Sequence, residues 1–334
     1  RYFAENFETF GLKKLISTSY APNSKPKDIP YQPALFELED EKFDETKTQS
    51  NGKIFTLTRD ISGDKRIDVD DLEWSYLEGD GDFRSDEVTK LRDEADIIIT
   101  NPPFSLFRVF LLWIVEGRKQ FSIIGNMNAI TYKQTFPLLM ENKMWIGPSI
   151  NSGDREFEVP SASETRSSSL RAEDGRKFLR VDGVRWFTSI EHGRRHQPLP
   201  LMTMAENIKF SKHKEVKDSE YATYDNYDAI EIPYTDAIPS DYQGVMGVPI
   251  SFMNKYSPEQ FEIVGGDGFD GTPPTRTYPS KKKVVNGVHM KSQTGTMGCV
   301  IRRDKFGSGT YFDVGYPVEA VYKRIFIRHR SEAK

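Results

Sequence analysis

Apolar and polar positions follow a strand and helix rhythm through the first 150 residues of the chain. "YFAENFETF" reads as the end of an amphipathic helix stopped by Gly11, and "KKLISTSY" as a strand. Residues 21–51 are polar and proline-bearing, a long connection or insertion. "KIFTLTRD" and "LEWSYLEGDGDF" predict two more strands, the second ending in a glycine-punctuated turn, and "RSDEVTKLRDEA" predicts a helix. The run Ile97 to Ile99 in "ADIIITNPPFSLFR" is continuous and apolar, as in a parallel strand covered on both faces. Pro102 and Pro103 end its sheet bonding, and Leu106 to Val115 continues as a helix. "QFSIIGNMNAI", a helical "YKQTFPLLMENK" and "MWIG" extend the alternation. The pattern predicts an α/β fold with a doubly wound sheet and helices on both faces.

The rhythm changes after that. Residues 151–183 are rich in Ser, Arg and Glu without clear period, an exposed loop or crossing hairpin, and "VRWFTSIE" returns as a strand. Beyond about residue 200 shorter strands, tyrosines and Gly/Pro turns indicate a second part. The tyrosine-rich "YATYDNYDAI" reads as structural, because its acidic residues disfavour stacking on bases.

Composition narrows the classes. The single cysteine, Cys299, excludes a disulfide framework and points to a reducing cytoplasm. No apolar stretch reaches the roughly 20 residues that span a bilayer, and the amino end does not resemble a signal peptide. The net charge of -4 hides an uneven distribution: residues 201–270 carry 5 basic against 13 acidic side chains, and 271–334 carry 13 against 4. A local basic face is what nucleic acid requires, so the carboxyl end stays a candidate.

The turn after Ile99 carries chemistry. The Asn101 side-chain oxygen and the Pro102 carbonyl are two acceptors, and a Pro–Pro step brings no competing N–H. An exocyclic amino group, with two N–H bonds, fits that pair. Adenine N6 is a poor nucleophile because its lone pair is delocalised into the ring. Two acceptors that hold its hydrogens out of plane help direct that lone pair at an electrophile. Phe104 offers a stacking face. In "GDGDF", Asp82 can accept from the adenine amino group of S-adenosylmethionine with Phe83 against the ring, and Asp80 flanks them.

Other motifs are weaker. "HGRRHQ" sets His192 and His196 four apart without a third metal ligand, so Arg194 and Arg195 are better read as DNA-phosphate contacts or solvated charges. Asp60 to Asp71 approximates a calcium loop but has Lys65 where that loop needs glycine and Asp71 where it needs glutamate. No metal is expected. Lys281, Lys282 and Lys283, with Arg302 and Arg303, make the carboxyl end a candidate for phosphate contact.

Taken in order, "YFAENFETFGLKKLISTSY", "GDGDFRSDE", "ADIIITNPPFSLFR", "FSIIGNMNAITYK", "ENKMWIG", "YDNYDAIEI" and "DYQGVMGVPISFMNKYSPEQFEI" resemble the EcoRI-type adenine-specific DNA methyltransferases. The resemblance implies a class I, S-adenosylmethionine-dependent fold, with a catalytic part in 1–200 and a target-recognition part in 201–334. It implies a flipped-out target adenine in duplex DNA, held by Asn101, Pro102, Pro103 and Phe104. Flipping meets a physical need, since N6 is out of reach of an in-line donor while the base is stacked. On the family's order the first cofactor strand and its loop precede "YFAENF", so this chain is expected to hold part of the cofactor site. A monomer is expected, with any cognate restriction endonuclease acting separately. Rival readings are the same transfer to RNA, to cytosine N4 or to a protein glutamine, and a DNA-binding relative that no longer catalyses.

Overall fold

The alternation in "LISTS" and "KIFTL" places Leu15 opposite Leu57 in a three-stranded antiparallel sheet, β1 (Leu15–Ser19), β2 (Lys53–Leu57) and β3 (Glu73–Tyr76), paired in that order. The computed structural model describes residues 1–21, 41–148, 155–159, 170–290, 297–303, 306 and 309–330. The chain divides into two units, Arg1–Asp96 and Ile97–Lys334.

In the first unit the predicted amino-terminal helix is one turn, α1 (Tyr2–Glu5), and Gly11 takes a φ of 63°. Ala4, Phe7 and Leu57 form its buried cluster, flanked by Leu12, Leu15 and Leu72. The polar connection holds α2 (Glu45–Ser50), whose Asp44 cap accepts from the Thr46 and Lys47 amides. The rest of that connection, 22–40, lies outside the described residues. α3 (Asp86–Glu94) begins at a Ser85 cap, as the capping pattern requires. Its Glu87 accepts from the Glu78 amide at 3.0 Å, tying the helix to the turn after β3.

The spaced carboxylates of Asp60 to Asp71 turn onto their own backbone. Asp71 accepts from the amides of Ile61, Ser62 and Asp68 at 2.8, 2.8 and 3.0 Å, and Asp60 accepts from Gly63 and Lys65 at 2.6 and 2.9 Å. Those amides, led by Ser62, pull the Asp71 pKa down to about 2.

The second unit opens with β4 (Ile97–Thr100), which pairs parallel with β5 (Gln120–Asn126) through the crossover helix α4 (Phe107–Glu116). After α5 (Phe136–Met140), β6 (Trp145–Ile146) and β10 (Val184–Thr188) complete a sheet in the order β4, β5, β10, β6. Gly125 on β5 has a packing reason, because a Cβ there would lie 2.4 Å from the Phe107 ring. Between β6 and β10 an antiparallel sheet of β7 (Arg155–Val159), β8 (Leu170–Glu173) and β9 (Arg176–Val181) realises the crossing-hairpin reading, while 149–154 and 160–169 lie outside the described residues.

Two further sheets follow α6 (Met204–Phe210). The first joins β11 (Ile230–Glu231), β12 (Met246–Pro249) and β13 (Phe261–Gly266) with the last strand, β19 (Arg324–His329), inserted between β12 and β13. The second is β14 (Lys282–Val285), β15 (Val288–His289), β16 (Val300–Arg302), β17 (Thr310–Asp313) and β18 (Pro317–Ala320), all antiparallel. Tyr224, Tyr227 and Cys299 pack in one buried cluster with Phe326, so the tyrosine-rich stretch is structural.

The fold is therefore mixed α/β with several sheets, and two features differ from the sequence reading. Among the described residues only β4·β5 and β11·β12 pair parallel. A strand and helix rhythm does not fix direction once the chain returns through hairpins, and β10 comes back antiparallel beside β5. β4 is an edge of its sheet rather than a covered centre. Ile97 and Ile99 share one face by the two-residue strand period, and they are 47% and 41% exposed.

Candidate active site

The double proline does what its chemistry requires at the end of β4. Pro102 is buried, Pro103 sits at φ -55° and ψ 127°, and the chain then winds through a short turn, Phe104–Leu106, into α4. The Pro103 carbonyl accepts from the Leu106 amide at 2.9 Å. Asn101 is exposed, and among the described residues its side chain has no hydrogen-bond partner. The Phe104 ring is 45% exposed. An amide oxygen and an aromatic face thus stand open on a rigid turn.

Parallel pairing puts the exits of β4 and β5 at the same end of the sheet. Beyond β5, the Asn126 side chain accepts from the Asn128 amide at 2.9 Å and caps a turn over Met127–Thr131. The Tyr322 hydroxyl donates to Asn128 Oδ1 at 3.0 Å, and Lys323 Nζ donates to Thr131 Oγ1 at 3.0 Å. Residues nearly two hundred positions away therefore brace the turn beside "NPPF". Sequence reasoning missed them, since no local motif marks an exposed tyrosine whose partner is this distant. Arg108, one residue into α4, lies 5.5 Å over the Tyr132 ring.

The turn holding Asp80, Asp82 and Phe83 belongs to the first unit. Gly81 adopts φ 86°, and a Cβ there would lie 2.4 Å from the Ser19 carbonyl oxygen, so only glycine lets this turn close on β1. The Ala21 amide donates to the Asp80 carbonyl at 2.8 Å, and Asp80 Oδ1 accepts from the Asp82 amide at 3.0 Å. Asp82 is gripped by Arg84, whose Nε donates to Oδ1 at 2.9 Å and whose own amide donates to the same atom at 2.8 Å. That side-chain bond, opposed by partial burial, holds the Asp82 pKa below the usual carboxylate range. Phe83 is 4% exposed, inside the unit. An ionised carboxylate fits the amino group of a purine as an acceptor.

The basic residues separate into two kinds. Arg195 does not face solvent: it is 9% exposed, pairs with Glu191 at 2.8 Å, donates to Asn142 at 2.8 Å and lies 4.0 Å over Trp145. Charge in a sequence does not reveal such partners, and the phosphate role read for Arg195 gives way to an internal brace. His192 bonds the Ile146 carbonyl at 3.0 Å. His196 sits between Glu259 and Glu191 at 2.7 and 3.0 Å, and both carboxylates raise its pKa. Exposed Arg194 donates to the Pro148 carbonyl at 2.9 Å. Lys282 and Lys283 lie on β14 opposite Asp313 and Phe312, with Lys281 exposed just before them. Arg303 pairs with Glu319, and Arg302 is half-exposed and bonded to Asp225.

A strand-end turn with an exposed, unpartnered amide side chain among the described residues is the arrangement that an amino group could meet. The chain belongs to the family of adenine-specific methyltransferase EcoRI, whose profile matches residues 1–330. It is 38% identical over 265 residues to Type II methyltransferase M.EcoRI of Escherichia coli, covering 79% of this chain and 73% of that protein. Type II methyltransferase M.MpnI of Mycoplasma pneumoniae is 37% identical over 267 residues, covering 79% and 69%. Type II methyltransferase M.MgeORF184P of Mycoplasma genitalium is 37% identical over 191 residues, covering 56% and 57%. No solved structure matches this chain. Methyltransferases of this family use S-adenosylmethionine as methyl donor.

Proposed function

We propose that this protein is a site-specific DNA adenine N6-methyltransferase of a restriction-modification system, and that the "NPPF" turn is its catalytic centre. The observation that carries the reading is the turn itself, rigid, exposed and with the Asn101 side chain unpartnered among the described residues. Family membership gives it a substrate.

The Asn101 oxygen and the Pro102 carbonyl accept the two N–H bonds of an adenine flipped out of the duplex. Held this way, N6 is drawn out of conjugation and its lone pair is aimed away from the acceptors. Pro103 keeps the backbone from presenting a competing donor, and Phe104 covers one face of the base. S-adenosylmethionine, when bound, supplies a methyl group on a positively charged sulfur. Asp82, kept ionised by Arg84, takes the amino group of the cofactor's adenine, flanked by Asp80 and Phe83. After transfer N6 carries an extra proton, which is acidic and leaves to water.

The reading extends to the rest of the chain. Residues 1–200 form the catalytic part on a class I sheet, and 201–334 the target-recognition part. Lys281, Lys282, Lys283, Arg194 and Arg303 contact phosphates. The enzyme works as a cytoplasmic monomer, because methylating one strand at a time needs one active centre, and a cognate endonuclease acts separately. No helix among the described residues is long and apolar enough to cross a membrane. The test is methyl acceptance from labelled S-adenosylmethionine by duplex DNA, RNA and total protein in parallel. Label in duplex DNA alone is expected; label in RNA or protein, or in none, overturns the assignment.

A further inference from the structure

In "YATYDNYDAI" one acidic residue gathers partners from three segments. The Asp225 side chain is only 7% exposed. Its Oδ1 accepts from Arg276 at 2.9 Å and from Arg302 Nε at 2.6 Å, and its Oδ2 accepts from the hydroxyls of Tyr278 and Tyr316, each at 2.6 Å. The Arg302 guanidinium lies 4.0 Å over the Tyr316 ring, and Arg276 also donates to the Tyr316 hydroxyl at 3.0 Å. The Asp225 amide donates to the Val300 carbonyl at 2.8 Å, and the Asn226 side chain accepts from the Val300 amide at 3.0 Å, so the carboxylate is fixed to β16.

Burial alone would lift the Asp225 pKa, but the hydrogen bonds from Tyr278, Tyr316 and Arg302 outweigh it and keep the group ionised. One negative charge answers two positive ones. The side chains of Arg276 and Arg302 nevertheless remain 49% and 56% exposed. Each guanidinium is planar and carries five donors in a fixed fork, and the bond to Asp225 uses only one edge. The free edges have lost their side-chain freedom before any ligand arrives. For general phosphate attraction this order is unnecessary, and the lysines on and before β14 suit that purpose. A fork held in place by a carboxylate and an aromatic ring suits a geometric match to two acceptors on one plane, which is what the O6 and N7 edge of guanine presents in the major groove.

We propose that Arg276 and Arg302 read guanine in the recognition sequence, with Asp225 as the positioning residue that aims them. The proposal rests on the DNA-methylation reading and adds the residues that set its specificity.

The experiment uses the full-length protein and duplexes carrying the methylation site, mapped by sequencing DNA that the wild type has modified. Each guanine is replaced in turn by 7-deazaguanine, which lacks N7 and still pairs with cytosine. The wild type is expected to lose roughly 10- to 100-fold in kcat/KM at one or two positions. Arg276→Ala and Arg302→Ala should lose a similar factor on the unmodified duplex and become indifferent to 7-deazaguanine at those positions. Arg302→Lys keeps charge and fold and should remain indifferent, which separates lost readout from lost structure. Asp225→Asn should blunt the discrimination and raise KM for DNA by a larger factor than it lowers kcat.

Variants that weaken every duplex alike, with the salt slope of binding reduced by about one per arginine, would assign the pair to phosphates and overturn the proposal. So would a wild type indifferent to 7-deazaguanine, or a recognition sequence without guanine. A wild type that methylates no duplex at all fails on every substrate, and so overturns the methylation reading as well.

Discussion

Two places in the Ile97–Lys334 unit treat hydrogen-bond acceptors in opposite ways. At the end of β4 the Asn101 side chain stands exposed without a partner among the described residues, next to a pair of prolines that contribute no N–H. At Asp225 a buried carboxylate accepts from two arginines and two tyrosines. An open acceptor on a rigid turn can take a donor from outside, which in the proposed function is the amino group of a base. A saturated acceptor spends its charge on its own protein and aims cations outward. On the proposed assignments, reaction chemistry and recognition are separable in the same unit by who satisfies the acceptor.

The largest expected effect comes from breaking the open side. Asn101→Ala should lower turnover by about two to three orders of magnitude, the scale seen when a transition-state hydrogen-bond partner is removed, and leave DNA affinity within a few-fold. Single-turnover methyl transfer with parallel DNA titration checks it. A parallel collapse of binding would make the turn a docking element instead.

Next come acceptors satisfied deep inside. Glu231 takes Arg324 at 2.6 Å, with both side chains at most 10% exposed, and Tyr224 donates to the same carboxylate. Glu231→Gln leaves the arginine charge buried and should cost about 3–5 kcal/mol in urea unfolding. Turnover per folded molecule below the transition should be retained, because this pair serves the sheet and not the reaction.

Asp267 shows the intermediate case, a buried carboxylate with too few donors. Its Oδ2 accepts from the Arg324 amide at 3.1 Å, yet desolvation pushes its pKa up to about 6. Below about pH 4 the carboxyl is neutral in both states. As pH rises to 6 and beyond, the unfolded chain ionises first and the native state loses stability. Asp267→Asn should therefore gain on the wild type between pH 4 and 8, by on the order of 2–3 kcal/mol at the upper end. Asp71 runs the other way. Its pKa of about 2 means that its amide bonds stabilise the native state above pH 4 and lose that effect as pH falls toward 2. Asp71→Asn should be less stable than the wild type at pH 7, with the gap closing in acid. Thermal unfolding across pH measures both.

The smallest effect separates two adjacent arginines. Arg194→Ala should reduce the slope of log affinity against log salt by about one phosphate contact, while Arg195→Ala should leave the slope alone and lower the melting temperature. A change of slope at Arg195 would contradict its assignment as an internal brace on Trp145.

These contrasts also mark what the sequence can reveal. Strands β1, β2, β4, β5 and β10 and helices α3 and α4 were legible, since each carries its own apolar period and its own cap or breaker. The turn proposed as catalytic could be singled out for the same reason: four consecutive residues hold its acceptors and its ring. What lay hidden depends on partners far along the chain. β19 enters between β12 and β13, Tyr322 reaches Asn128, and Asp225 collects Arg276, Tyr278, Arg302 and Tyr316 across 51 to 91 positions. Arg195 looked like surface charge because its tryptophan and asparagine sit about fifty residues earlier.

We assign to the Asn101 side chain and the Pro102 carbonyl the task of directing a methyl group onto adenine N6. Digestion of DNA treated with the full-length protein and S-adenosylmethionine, followed by mass spectrometry of the nucleosides, tests it most directly. The account predicts N6-methyladenine as the sole new nucleoside, abolished by Asn101→Ala. N4-methylcytosine, or N6-methyladenine undiminished in that variant, would contradict it.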